Sequence, residues 1–326
     1  MRADNLEVTT SGVLCISLDF ELYWGMRDVV SLDDYRAHLD GVPASVAATL
    51  DVFAAYGVHA TWATVGLVDC RDPADARALA PDPRPQHSDP AMDNLAVLDA
   101  IEDPSVHRYY FAPELVDAIC ATPGQELATH TFSHMYPLEG ASLESFRADL
   151  SAACAAAARR GRRLRSIVFP RNQYTAAHVA VAAELGIDVH RGNPPGWMYA
   201  PRTNAAQSAP IRLARLLDAH VPVVETTAPL TGVGVGVGAN VPASRLLRPG
   251  HGDFAHHARL NRVRDELRLA AHRDRMCHLW WHPHNFGVDL DANLAGLIRI
   301  LDEFASLRAA DGMRSLTMAE VADAYA

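Results

Sequence analysis

Two histidines four residues apart, His130 and His134, close the stretch ELATHTFSH at 126–134. At that spacing, within a helical turn or a tight loop, both imidazoles can turn toward one point. Neutral imidazole binds a divalent metal without adding charge. The chain has 16 His, so the pair gains meaning only with a carboxylate partner. Asp19 and Glu21 are the candidates. One carboxylate with two histidines gives a metal three protein ligands and leaves positions open for water and substrate. The other carboxylate is then placed to take the water proton as general base. His282 or His284, in WWHPH at 280–284, is the candidate proton donor to a leaving group. Arg171 is expected beside Asp19, keeping that carboxylate ionised and oriented. Metal, base, acid and an aromatic-lined cleft describe hydrolysis of a carbonyl bond, an amide foremost.

The elements that must position these groups alternate between strand and helix. VLCISLD at 13–19 is a continuous apolar run ending in a carboxylate, as expected of a strand buried on both faces. Helical periodicity follows over 43–56 with Gly57 as its stop, then a strand over 58–65. Residues 69–113 are rich in Pro, Asp and Arg and form a long excursion, expected to act as a lid or one wall of the cleft. Further helices are predicted over 113–121, 143–160, 176–185, 255–272, 290–307 and 318–325. Further strands are predicted over 126–130, 165–169, 187–190, 221–226, 276–281 and 313–317. This alternation predicts an α/β fold, a barrel of parallel strands joined by helices. Asp19, His130, Arg171, Arg191 and His282 all fall at or just after a strand's C-terminal end, the rim where such a barrel carries its active site.

Several features point away from other functions. The net charge of −10 argues against nucleic-acid or anionic-membrane binding, and every cation is an arginine. The RRGRR cluster at 159–163 closes a helix, where the dipole favours cations, and is read as structural. GVGVGVG at 232–238 lacks the Lys-Ser/Thr of a nucleotide loop and is read as flexible. Five cysteines without a CxxC pair indicate neither a disulfide framework nor a zinc ribbon. The first residues show no apolar leader segment and no run reaches membrane-spanning length, so the expected compartment is the cytoplasm. Outer apolar helix faces leave a homo-oligomer open.

SLDFELYW at 17–24, HTFSH at 130–134, FPRNQ at 169–173 and WWHPH at 280–284 resemble, in order, successive motifs of the polysaccharide deacetylase family (carbohydrate esterase family four). The resemblance implies a distorted (β/α) barrel of seven to eight parallel strands, a single catalytic unit over 1–326, and metal-dependent removal of N-acetyl groups from amino sugars. By that similarity Asp19 is the base, His130 and His134 are metal ligands, and His282 is the general acid. The family's adjacent aspartates are here Asp19-Phe20-Glu21. On the acidic-x-acidic version of that motif Glu21 is the third ligand, with Asp19 as the alternative. The third motif is altered at 171–174, so the oxyanion-hole donor is open, with Arg171 kept among the catalytic candidates. No Asp-x-x-Asp-Trp element supports His282, whose partner is therefore open. The expected metal is zinc, with cobalt, nickel or iron as alternatives.

Tyr174, Arg191, Asn193, Trp197, Trp281 and His284 are the candidates for binding a small-molecule or oligosaccharide substrate, and Trp280 is assigned to the core. Two other functions fit parts of the pattern: an oxygen-dependent enzyme with iron on the same ligands, and a silent glycan-binding module.

Overall fold

The computed structural model describes residues 11–98, 100–218, 224–231, 233 and 237–326. Its strands in chain order are β1 (Val13–Phe20), β2 (Ala60–Thr64), β3 (Gln125–Thr129), β4 (Ser166–Ile167), β5 (Val189–His190), β6 (Ala228–Pro229), β7 (Ala239–Asn240), β8 (Arg245–Leu246), β9 (Arg275–Trp281) and β10 (Arg314–Leu316). The order β9-β1-β2-β3-β4-β5-β7 is parallel throughout, and β10 pairs with the start of β1. Between them run helices that cover the outer face, the longest being Leu290–Asp311, Phe254–His272 and Leu143–Arg159.

The segment from β7 to β8 draws the sheet round into a distorted barrel. Val241 and Ala243 donate backbone hydrogen bonds to His190 and Gly192 beside β5, while Ser244 and Leu247 donate to His278 and Trp280 of β9. One short stretch thus bridges the two edges. The sequence shows no strand there, because its turns and prolines break any periodicity.

Period-2 alternation in β1 and β9 sorts side chains between two layers. Leu14, Ile16, Leu18, Cys277, Leu279 and Trp281 face the helices, in the main core with Phe53. Val13, Cys15 and Met276 face inward and fill the barrel floor with Ala63, Ala128, Val168 and Val189. Above that floor the inward positions turn polar: Ser17 with His278, then Asp19, then Glu21 beyond the strand end.

Most predicted elements are present with shifted ends. The 165–169 strand shortens to β4, the 187–190 strand to β5, and helices at Leu32–Asp40 and Ala209–Asp218 were not predicted. The strand predicted over 221–226 and the glycine-rich 232–238 loop lie partly outside the described residues. Val224–Thr226 is not in a strand, and the next pairing is antiparallel, β6 on β9. No described helix is long and apolar enough to cross a membrane.

Candidate metal and acid–base site

Glu21, His130 and His134 are all buried, and one ligand atom from each lies within 4.8 Å of the others. Glu21 leaves β1 on a short turn, and His130 follows the end of β3 directly. His134 adopts a left-handed conformation at φ 56°, as does Thr131 at φ 64°. That unusual loop is held from below. Asp149, on the helix Leu143–Arg159, accepts from the Phe132 N–H at 2.7 Å, the Ser133 N–H at 3.2 Å and the Ser133 hydroxyl at 2.5 Å. Burial pushes the Asp149 carboxyl up to about 6, against the pull of those donors.

Two glycines make room. A Cβ on Gly25 would lie 2.1 Å from the Glu21 carboxylate, so only glycine leaves that carboxylate its place. A Cβ on Gly66 would lie 2.6 Å from the Phe132 ring, where Gly66 and Leu67 donate to the carbonyls of Thr131 and Phe132.

The donor set fits a divalent metal. His130 Nδ1 lies 2.7 Å from the Val168 carbonyl, which can only accept, so Nδ1 carries a proton. In the neutral ring the Nε2 lone pair then faces Glu21 Oε2 at 3.4 Å. Two electron pairs so arranged call for a cation between them. His134 Nε2 is 3.0 Å from the same oxygen. Burial lowers the basicity of His134 despite Glu21 beside it, which favours the neutral form that ligates. Burial alone would raise the Glu21 carboxyl, but His282, His134 and His130 outweigh it and hold it well below the ordinary range.

Asp19 sits apart from that trio, gripped by Arg191 with Nη1–Oδ1 at 2.6 Å and Nη2–Oδ2 at 2.9 Å. Burial would raise this carboxyl too; Arg191, His130 and His282 hold it ionised. Arg191 also donates to Ser17 Oγ at 3.1 Å and Asn172 Oδ1 at 3.1 Å. Ser17 Oγ in turn lies 2.9 Å from Nε2 of His278. His282 Nε2 stands 3.8 Å from Asp19 and 3.7 Å from Glu21. The Asn285 side-chain amide, 3.2 Å from His282 Nδ1, is the partner that sequence reasoning left open.

The structure corrects several expected positions. Arg171 does not reach Asp19: it pairs with Asp28 at 2.5 Å and stacks over Tyr136 at 4.1 Å. Arg191, expected to meet substrate, is 1% exposed and fills the role assigned to Arg171. Trp281 is fully buried between Phe53 and Phe286, whereas Trp280 is the inward ring, stacked with Arg191 at 4.4 Å. The alternation of β9 permits no other assignment once Cys277 and Leu279 face the helices. His284 is buried beneath His282, the rings 5.0 Å apart and stacked; burial first, then His282, lowers its basicity to about 3. Tyr174 packs on Phe169 at 4.8 Å, and Trp197 projects outward at 61% exposed. Asn193 lies inside, donating to the carbonyls of Asn172 at 3.2 Å and Tyr199 at 2.7 Å.

Asp28, Asn94, Tyr136 and Asp149 carried no motif signal. Asn94, from the 69–113 excursion, donates to the carbonyls of Trp24 and Ser133 and so ties the Glu21 turn to the histidine loop. The excursion is thus one wall of the site. Three of the arginines at 159–163 are structural: Arg160 and Arg162 pair with Asp117 and with Asp69 at the start of that excursion, and Arg159 pairs with Asp75 within it.

Residues 33–190 match the family model described as polysaccharide deacetylase. No functionally curated protein matches the sequence. Solved structures share the fold at low identity. One from Mycobacterium smegmatis, assigned to the polysaccharide deacetylases, superposes with a TM-score of 0.61 at 16% identity over 97% of this chain and 91% of that one. One from Pseudomonas aeruginosa PAO1, of the same assignment, gives 0.52 at 11% identity over 95% and 89%. The PuuE allantoinase gives 0.54 at 11% identity over 96% and 90%.

Proposed function

We propose that the chain, whose residues 33–190 match the polysaccharide deacetylase model, is a divergent member of that family and a divalent-metal-dependent hydrolase of an acylated amino sugar or a sugar-containing intermediate. The whole chain is taken as one catalytic unit. The reading rests on the convergence of Glu21, His130 and His134 at a buried point beside a second, separately held carboxylate. Two imidazoles and a carboxylate suit zinc, with cobalt, nickel or iron as substitutes. When bound, such an ion acidifies water and polarises a carbonyl oxygen.

The chain's own residues divide the proton work. Asp19, kept ionised by Arg191, takes the proton from the attacking water. Its two oxygens are oriented by the guanidinium fork, so little reorganisation is needed. The Asn285 side-chain amide, 3.2 Å from His282 Nδ1, holds the ring with Nε2 toward Asp19 and Glu21. As imidazolium the ring gives its Nε2 proton to the departing nitrogen and is left as neutral imidazole, while the proton from water stays on Asp19 until the products leave. The new C–O bond forms from water, the amide C–N bond breaks, and acid and free amine leave.

The test is acetate release from N-acetylated chitooligosaccharides and from N-acetylglucosamine 1-phosphate, with and without a chelator. Loss with the chelator and recovery on adding zinc or cobalt supports the reading. Full activity in a His130→Ala, His134→Ala double variant ends it.

A further inference from the structure

Beside the metal and acid–base site lies a cavity of about 200 Å³. Trp280, Arg171 and Asn172 form its wall on the side of that site, while Glu21, His130 and His134 do not line it. Arg171, Arg202, Arg215, Arg245 and Arg248 line it, and among the described residues none that lines it is a carboxylate. Two of these charges are compensated nearby: Arg171 by Asp28, and Arg245 by Glu266 and Asp218. The other three have no carboxylate partner among the described residues. Arg202 and Arg215 donate to backbone carbonyls of the 197–200 turn instead. Arg248, at the exposed mouth, makes no hydrogen bond or ion pair among the described residues. Arg171 Nη1 is buried without a partner.

In a chain of net charge −10, gathering uncompensated guanidinium groups round one concavity is costly unless an anion joins them. Burial, then the neighbouring Arg202, lowers the proton affinity of Arg215, the mark of a cation short of counter-charge. Guanidinium is the side chain best shaped for phosphate and carboxylate oxygens.

We propose that this cavity is a subsite for an anionic group of the substrate, a phosphate or a carboxylate, carried on the sugar whose acyl group is removed. The inference rests on the hydrolase reading for its substrate and on the arginine cavity alone for its charge. Trp280 offers a ring at the boundary between the two sites, and Asn193 Oδ1, buried without a partner, offers an acceptor for a sugar hydroxyl.

Calorimetric titration of the whole metal-loaded protein with inorganic phosphate, and separately with glucuronate, tests it; the two ligands distinguish the source of the anion. At least one is expected to bind, to bind equally in the His130→Ala variant, and to weaken about tenfold in Arg248→Ala as a charge-assisted contact is lost. Arg248 makes no side-chain hydrogen bond or ion pair among the described residues, so its removal is expected to leave folding intact, and Arg215→Ala provides the second variant. Failure of both anions to bind, or unchanged binding in both arginine variants, overturns the proposal. In turnover, N-acetylglucosamine 1-phosphate or an N-acetylated amino-uronate is preferred over N-acetylglucosamine, and Arg248→Ala removes the preference. Equal rates on charged and neutral sugars overturn the anion subsite and leave the hydrolase standing. Retained anion binding without acetate release from any of them supports the subsite and counts against the hydrolase alone.

Discussion

Arg191 holds Asp19 by a two-pronged pair, 2.6 and 2.9 Å, with both residues almost wholly buried. A buried ion pair in which each oxygen has its own donor fixes a carboxylate in charge and direction. Asp19→Asn is therefore expected to lower kcat by about 10²–10⁴-fold, the range for losing a general base, while the bound metal is kept. Arg191→Lys keeps the charge but loses the fork, so kcat falls with a smaller loss of stability than in Arg191→Ala. The alanine variant leaves an unpaired buried carboxylate, at a cost of about 3–5 kcal/mol in thermal or denaturant melts. Steady-state kinetics with metal analysis of each purified variant checks both statements. A metal-free Asp19→Asn protein would make Asp19 a ligand instead.

The metal trio predicts a different pattern. Glu21→Ala, His130→Ala and His134→Ala should each lose the ion, measured as metal per chain after dialysis, and lose activity with it. Gly25→Ala should do the same without touching a ligand, because its methyl would occupy the place of the Glu21 carboxylate. A Gly25→Ala protein with full metal content would show that the turn at 22–25 yields more easily than this geometry allows.

Much of the fold and the trio could be read from residue order alone, because each rests on a local rule. HTFSH is a short-range motif, and β1 and β9 are long apolar runs whose ends place Asp19 and His282. Pairings between distant elements could not be read. Arg171 and Arg191 both follow strand ends, and only the closed barrel shows that Arg191, pointing inward from β5, reaches Asp19. Trp280 and Trp281 are adjacent and chemically alike. Their separation depends on the phase of β9, fixed by which face meets the helices. The closing segment at 239–247 left no trace, since each half pairs with a different strand over two residues and neither builds a period. Asp149 was invisible because a carboxylate inside a helix reads as a solvated one until the histidine loop is placed over it.

That buried carboxyl gives stability a pH dependence of unusual sign. With its folded value raised to about 6 from 3.8, Asp149 binds its proton more tightly in the folded state than in the unfolded one. Stability from this group is therefore full below about 3.8 and declines as pH rises toward 6, by on the order of 3 kcal/mol. Asp19 and Glu21 run the other way: their lowered values stabilise the fold above the ordinary carboxylate range, and that contribution is lost as pH falls below it. The Asp149 part is isolated by comparison with Asp149→Asn, which cannot titrate. The stability difference between wild type and variant should shift in the variant's favour from pH 4 to pH 6. A difference independent of pH would mean that Asp149 stays ionised throughout.

The two tryptophans at the end of β9 should separate binding from stability. Trp281 is enclosed by Phe53 and Phe286, so Trp281→Ala opens a cavity in the main core and should cost about 3–5 kcal/mol, with metal affinity intact in whatever fraction stays folded. Trp280 is only half-buried, with Arg191 against its ring and the arginine-lined cavity beside it. Trp280→Ala should cost about 1 kcal/mol, the worth of a stacked cation at a partly open site. Its larger effect should be on KM for a sugar substrate, with kcat changed less, since the ring meets the substrate away from the reacting bond. Thermal melts of both variants, read beside their kinetics, decide the matter. If Trp281→Ala raised KM while Trp280→Ala only unfolded the protein, the strand would present its faces the other way round, and Asp19, in register with that layer, could not face the histidine pair.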